Sequence, residues 1–370
     1  LEGVLARELG EMGASRVKPL KRAVSFSGDK ELMYRVNYCS RCSISVLKTV
    51  AEFRISSKDD LYKKGLEIRW SEIMDPGSRF SVSPVINSRL FTHSGYPALV
   101  LKDAVADYFR GSRGARPTVD TASPDILINL HVSNDLASVS IDSSVVPLFK
   151  RGYRVLQGEA PLNEVLAAGI LLLAGWDGSS TLNDPMCGSG TILAEAGLIA
   201  NRIPPGRTRS FFGFERWKDY DKNLFLRVKR ESDGSITRST VKITGSDISP
   251  RAADQARANI DKAGLTGIVD VRVADFRDLK SVDNHGYVVM NPPYGERIKP
   301  DDTAKLYDMI GTVLKHNFAG DRVWIFTSGK EHLDKVGLRP TTKIALYNGS
   351  IECILAGYDI YEGTKKKRRD

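Results

Sequence analysis

Cysteine and histidine are scarce. The 370 residues hold four cysteines, at 39, 42, 187 and 353, and five histidines, at 93, 131, 285, 316 and 332. Cys39 and Cys42 stand close together, but no second Cys or His pair follows at the spacing zinc requires, so no metal is expected. So few thiols do not make a disulfide scaffold and fit free cysteines in a reducing cytoplasm. Long hydrophobic runs are missing too. The longest, VLAAGILLLAGW at 165–176, falls well short of the ~20 residues that span a bilayer; it reads as a buried helix, and no membrane partner is expected.

Hydrophobic residues make up 41% of the chain, enough for ordinary cores, and the length suits two or three domains. The net charge of +9 favours a polyanionic partner. The chain opens on LEGVLARELGEMG, the text of a helix already under way, so its natural start is expected upstream.

The first half mixes small strands and helices. PALVLKDAVADYFR (97–110) has apolar residues at helical spacing and runs into the polar loop GSRGARP. Residues 120–147 alternate like paired strands around an Asn134-Asp135 turn. This is an α+β region. After residue 160, short apolar strands alternate regularly with amphipathic helices over 190–201, 249–263 and 302–317, which predicts a parallel α/β sheet covered on both faces. The last two strands flank Asn348-Gly349, a strong hairpin signal. A parallel sheet finished by such a hairpin gains one antiparallel strand, a topology that resembles the Rossmann-like sheet of S-adenosylmethionine-dependent methyltransferases.

Four strand ends carry the candidate chemistry. LNDPMCGSGTILAEA (182–196) sets Asp184, Cys187 and the loop Gly188-Ser189-Gly190, followed by Thr191, where a strand passes into a helix. Glycines there let a ligand approach the backbone, and the helix start offers free N–H groups. The stretch lacks both Gly-x-Gly-x-x-Gly and Gly-Lys-Ser, which argues against pyrophosphate and triphosphate ligands. Asp184 suits a cationic or amino-bearing group. Asp247, followed by Ile248, closes the next strand and can accept bonds from ribose hydroxyls. Asp275 closes the third and can accept from the amine of adenine, with Phe276 packed on the ring. Taken singly, either aspartate also fits a plain helix cap.

The fourth strand ends in Asn291-Pro292-Pro293-Tyr294. An exocyclic amine is a poor nucleophile because its lone pair is delocalised into the base. The Asn291 side-chain oxygen and the Pro292 carbonyl can each accept one of its N–H groups and direct the lone pair toward a methyl donor, which Asn291 would also border. The prolines fix the loop, and Tyr294 can stack on a flipped-out base.

Together DPMCGSGT, GFERW, NPPYGERI and the KRGYR…GEAPLNE segment resemble the bacterial THUMP-containing RNA guanine-N2 methyltransferases, especially those acting on 23S ribosomal RNA. The resemblance implies a ferredoxin-like region over 1–50, a THUMP RNA-binding domain over 51–157 and a methyltransferase domain over 158–370. It implies S-adenosyl-L-methionine as cofactor, held by Asp184, Cys187, Gly188, Gly190, Asp247 and Asp275, and it adds Pro161 and Leu162, which match a segment lining that pocket. The partner implied is RNA, 23S rRNA before tRNA. A DNA adenine-N6 methyltransferase shares the NPPY logic, and a non-catalytic RNA-binding assembly factor is the reading of another class. One departure stands out: about 57 residues separate the glycine loop from Asp247, against the ~20 of a compact nucleotide fold. In that insertion Phe211, Phe212, Phe214 and Trp217 can stack on RNA or join a core. The terminal KKKRRD adds basic charge.

Overall fold

The computed structural model of the chain describes residues 1–114, 116–155, 162–283, 285–293 and 300–361. Pro161, Tyr294 and the KKKRRD tail lie outside them.

The chain begins with helix Glu2–Glu11, against which strands β1 (Ser15–Leu20) and β2 (Ala23–Ser27) pack as an antiparallel ribbon. Helix Lys30–Cys39 follows. A five-stranded sheet is built from β3 (Leu47–Arg54), β4 (Arg79–Asn87), β5 (Thr118–Val119), β6 (Ile126–Ser133) and β7 (Leu136–Asp142), in the order β3-β7-β6-β4-β5. Strand β3 crosses residue 50 and pairs with β7, so the N-terminal region feeds directly into this sheet. β6 and β7 form the expected hairpin: Ser133 faces Leu136 across the turn, and Asn134 takes the left-handed conformation at φ 54°, which Asn tolerates better than most residues. Ile126, Ile128, Leu130 and Val132 alternate inward and meet Leu101, Val105 and Phe109. That helix runs over Tyr96–Arg113, past the expected end at 110. Gly114, at φ 64°, rather than Gly111, supplies its left-handed stop.

The second half is a seven-stranded sheet of β8 (Leu182–Asp184), β9 (Ile243–Asp247), β10 (Val269–Val273), β11 (Tyr287–Met290), β12 (Arg322–Ser328), β13 (Thr342–Asn348) and β14 (Ile351–Asp359). The order is β10-β9-β8-β11-β12-β14-β13, parallel except for β14. The terminal hairpin therefore inserts one antiparallel strand, as expected, but its turn sits one residue late. Asn348 still pairs with Ile351, and Gly349 alone takes positive φ. Helices cover both faces. Tyr287 and Val289 join the core with helices Glu164–Leu173 and Thr191–Ala200, while Val288 and Met290 join the other with helix Pro300–Asn317. A strand buried on both sides has no polar face, which is why YVVM reads as a continuous apolar run. No helix among the described residues is long and apolar enough to cross a membrane.

The insertion resolves into a short 3-10 turn, Gly213–Arg216, and a helix, Lys222–Gly234. Phe212, Phe214, Trp217 and Phe225 are buried, and they pack with Tyr34 and Tyr38 in the core of the N-terminal half. The Tyr34 and Phe214 ring centroids are 4.3 Å apart, and Phe212 stacks on Phe214 at 5.4 Å. RNA stacking by Phe212, Phe214 and Trp217 is thus overturned, because their faces are already covered. Nor do they thicken the methyltransferase half's own helical layer: they bolt it to its neighbour. Phe211 is half-buried beneath the Arg216 guanidinium, 4.8 Å from its ring centroid.

Candidate active site

The order of strands in the second sheet reverses between β8 and β11. From β8 the chain moves outward through β9 to β10; from β11 it moves the opposite way. Loops leaving the carboxyl ends of two such strands diverge and open a crevice. The glycine loop leaves β8 and Asn291 follows β11, so the sheet brings the two principal motifs to adjacent strands at one rim.

Each wall of the crevice has an identifiable cause. Gly188, at φ 52°, has no heavy atom within 4 Å of where a Cβ would stand; Gly190, at φ 78°, would press a Cβ to 2.9 Å from the Cβ of Ala256. The first glycine thus leaves open space, while the second lets helix Pro250–Lys262 approach. The Gly188 N–H donates to Asp247 Oδ2 at 2.9 Å, and Asp247 Oδ1 accepts from the Ser249 N–H at 2.9 Å. Asn259 braces the loop from behind, donating to the Ser189 carbonyl at 2.9 Å and accepting from the Val155 N–H at 2.9 Å. Helix Thr191–Ala200 begins at Gly190 with no side-chain cap.

Asp184 is buried, and its one hydrogen bond among those described is from the Met186 N–H at 3.3 Å. Burial pushes its carboxyl well above the ordinary range, and the charge of Asp247 adds to the rise. Cys187 is buried beside it, its thiol pushed up for the same first reason. Ile248 lies exposed at the rim. Asp275 caps the short turn Phe276–Asp278, accepting from the Arg277 N–H at 2.9 Å, and pairs with the Arg277 guanidinium at 2.6 Å. Hydrogen bonds from Arg277 hold its carboxyl below the usual range. The plain cap reading thus describes its local geometry, with the acid still at the carboxyl edge. Phe276 is a correction. Its ring is buried and stacks on Phe318 at 5.5 Å within the apolar core, so it is not the free platform for adenine that the sequence suggested. A short turn after an acid reverses the chain, and the ring follows the sheet's apolar layer.

After β11 the Asn291 side-chain oxygen is buried with no hydrogen-bond partner among the described residues, and Pro292, next in the chain, is buried. Leu162 lies in the core beside the glycine-loop helix.

The structure adds a group that the motifs did not single out. Arg154 Nε donates to Glu164 Oε1 at 2.9 Å, and Nη2 donates to the Leu162 carbonyl at 2.9 Å and to Thr191 Oγ1 at 3.1 Å. Its Nη1 is buried without a partner among the described residues. Three residues earlier Arg151 is buried against Glu195 at 3.5 Å, and the Tyr153 hydroxyl donates to the same carboxylate at 2.9 Å. KRGYR, read from sequence as an exit signature, is therefore bonded through Arg151, Tyr153 and Arg154 to Thr191 and Glu195 of the helix that follows the glycine loop. Asn259 carried the signal that was available: a polar residue on an otherwise apolar helical stripe.

Around this crevice the Arg154 Nη1 donor and the Asn291 Oδ1 acceptor have no partner among the described residues, Asp184 has a single hydrogen bond, and Gly188 leaves open space. Buried polar groups rarely remain unpartnered. A ligand with an ammonium, a carboxylate and a flat ring fits this donor set, and a base amine fits the Asn291 oxygen.

Comparison with known proteins agrees. Residues 151–356 match a family described as RMKL-like, methyltransferase domain; residues 56–142 match the THUMP domain, and residues 1–47 an RlmL ferredoxin-like domain. A Synechocystis sp. protein provisionally named RNA methyltransferase slr0064 is 35% identical over 98% of this chain and 94% of its own length. The Ribosomal RNA large subunit methyltransferase K/L of Syntrophotalea carbinolica is 36% identical over 98% of this chain but 52% of its own length, so the chain spans about half of such K/L relatives. Among solved structures, SMU.472, crystallised with S-adenosylhomocysteine, superposes with a TM-score of 0.87 at 29% identity, over 99% of this chain and 96% of that one. The chain belongs to the RMKL-like methyltransferase family, and it is an S-adenosylmethionine-dependent methyltransferase.

Proposed function

We propose that this enzyme methylates the exocyclic N2 amine of a guanine in structured RNA, with 23S rRNA as the favoured target over tRNA. The observation that carries the reading is the oxygen of Asn291 at the crevice rim, buried and unpartnered among the described residues. An acceptor buried without a donor costs about 1–3 kcal/mol, a cost that an incoming amine relieves. The names of the slr0064 and K/L relatives, the THUMP match and the net charge of +9 support RNA as the polymer. An RNA target of this kind puts the enzyme in the cytoplasm.

In this mechanism the bound cofactor supplies an electrophilic sulfonium methyl. Asp184 would hold its ammonium end, Gly188 would leave room for it along the backbone, Asp247 would accept from its ribose, and Asp275 and Ile248 would border its adenine. The target base is flipped out of its stack. Asn291 Oδ1 and the Pro292 carbonyl each accept one N–H of the amine, so its lone pair is turned toward the methyl group. Pro292 and Pro293 keep both acceptors in place before the base arrives. Tyr294, next in the chain, is the proposed stacking partner. No strong base is required: the amine loses its extra proton to solvent after attack.

The test is nucleoside mass spectrometry of ribosomal RNA, tRNA and DNA from cells lacking the protein. Loss of N2-methylguanosine from the large-subunit RNA is the expected result. Loss confined to tRNA, a loss of N6-methyladenine from DNA, or unchanged methylation in all three would each overturn it.

A further inference from the structure

We infer that Arg154 is a cofactor-binding residue: its free amino nitrogen, together with the uncapped start of helix Thr191–Ala200, receives the α-carboxylate of the methyl donor. The Arg154 side chain is 10% exposed, and Glu164, which takes its Nε, is 6% exposed. The guanidinium is a planar fork. Nη2 touches Thr191 Oγ1 and the Leu162 carbonyl, and Nη1 is carried beside it in the same plane.

Two independent features point to a negative ligand there. Nη1 is a buried donor with no acceptor among the described residues, and a free guanidinium N–H makes a charge-assisted hydrogen bond to a carboxylate. The ten-residue helix Thr191–Ala200 starts at Gly190, which has no side chain to accept from the first free N–H groups, and the helix dipole adds positive potential at that point. Asp184, at the start of the same loop, is a buried carboxyl that an arriving ammonium would ionise and pair with. The crevice thus offers a guanidinium and a carboxyl, the pair of groups that a zwitterionic amino-acid end requires. Arg154 would also bond the cofactor site to the segment arriving from the N-terminal half, since Arg151 and Tyr153 hold Glu195 on the same helix.

The inference rests on the cofactor identity and not on the RNA target, so its test uses no RNA. Titration calorimetry of the full chain compares S-adenosylmethionine with its decarboxylated analogue, which keeps the ammonium and lacks the carboxylate. The wild type is expected to favour the complete cofactor by ~10–100-fold, the range of a charge-assisted hydrogen bond. Arg154→Gln is expected to bring that ratio to within ~3-fold of unity while changing affinity for the analogue little. Arg154→Lys, which keeps the charge but loses the fork, should fall between the two and serves if the glutamine variant does not fold. A wild-type ratio near one, or variants that weaken both ligands equally, overturns the assignment. Failure of the wild type to bind either ligand would instead strike at the cofactor site as a whole.

Discussion

Gly188 donates its backbone N–H to the carboxylate of Asp247 at 2.9 Å, so the loop that leaves β8 is tied to the acid that ends β9. The bond spans 59 positions of sequence. It fixes the loop height from the neighbouring strand and leaves the other side of Gly188 open. Its companion Gly190 is fully occupied by a protein contact. The two glycines should therefore fail differently. Gly190→Ala pushes on Ala256 and strains a φ of 78°, and should destabilise the ligand-free protein by more than the about 1–2 kcal/mol of left-handed backbone alone. Gly188→Ala carries only that backbone cost but fills the crevice, so donor affinity should drop at least ~10-fold. Urea unfolding and calorimetry on both variants check the contrast; equal effects in both assays would refute it.

Asp184 should trade stability for binding. Its folded-state pKa is raised by burial, so the folded protein holds a proton that the unfolded chain releases near the ordinary carboxylate value of ~4. Stability from this group is then complete below that value and is lost as pH rises toward the folded pKa. Asp184→Asn should remove this part of the pH slope and stabilise the ligand-free protein at pH 8 by about 1–3 kcal/mol, while weakening S-adenosylhomocysteine. Denaturation at pH 5 and pH 8 decides; identical pH slopes in both proteins would count against it.

Asn291→Ala should separate binding from chemistry. If the amide oxygen acts on the target amine, kcat falls by ~10²–10³, as when one preorganised hydrogen-bonding group is lost from an active site. Affinity for the donor should change less than ~3-fold. Single-turnover methylation of under-modified ribosomal RNA, alongside cofactor titration, makes the measurement. Full transfer by the variant would remove Asn291 from the mechanism.

The joint between the halves should be costly to break. Phe214→Ala deletes a fully buried ring packed on Tyr34 and should destabilise by about 3–5 kcal/mol. Glu195→Gln leaves Arg151 as a buried cation without a counter-charge, with a loss of similar size, about 3–5 kcal/mol. Both should loosen the N-terminal half first, so tryptophan fluorescence and cofactor-protected melting should cease to coincide. A single unchanged transition in both variants would show the joint to be dispensable.

Much of the candidate site was readable because its determinants are local. A glycine loop between strand and helix, acids that close strands and prolines after an apolar run each follow from backbone sterics within a few residues. They reached the same rim because parallel strands all end on one edge. Phe276 was misread for the complementary reason: its neighbour Asp275 does sit at the edge, but which way the next ring turns depends on Phe318, more than 40 positions away. Arg154 and Asn259 were overlooked because their partners, Glu164, Thr191 and the Ser189 carbonyl, come together only when helices pack.

Hydrophobic periodicity and turn chemistry, which act over one or two turns of chain, decided by themselves that this protein alternates strands and helices, ends its sheet in a hairpin and sets its candidate groups on strand ends. Packing decided the rest. Only the folded protein could choose which core would take the aromatic insertion, which polar atoms would be left without partners, and that one arginine from the exit of the N-terminal half would stand against the first turn of the glycine-loop helix. Those choices follow from shape and desolvation between distant segments, and no local pattern encodes them.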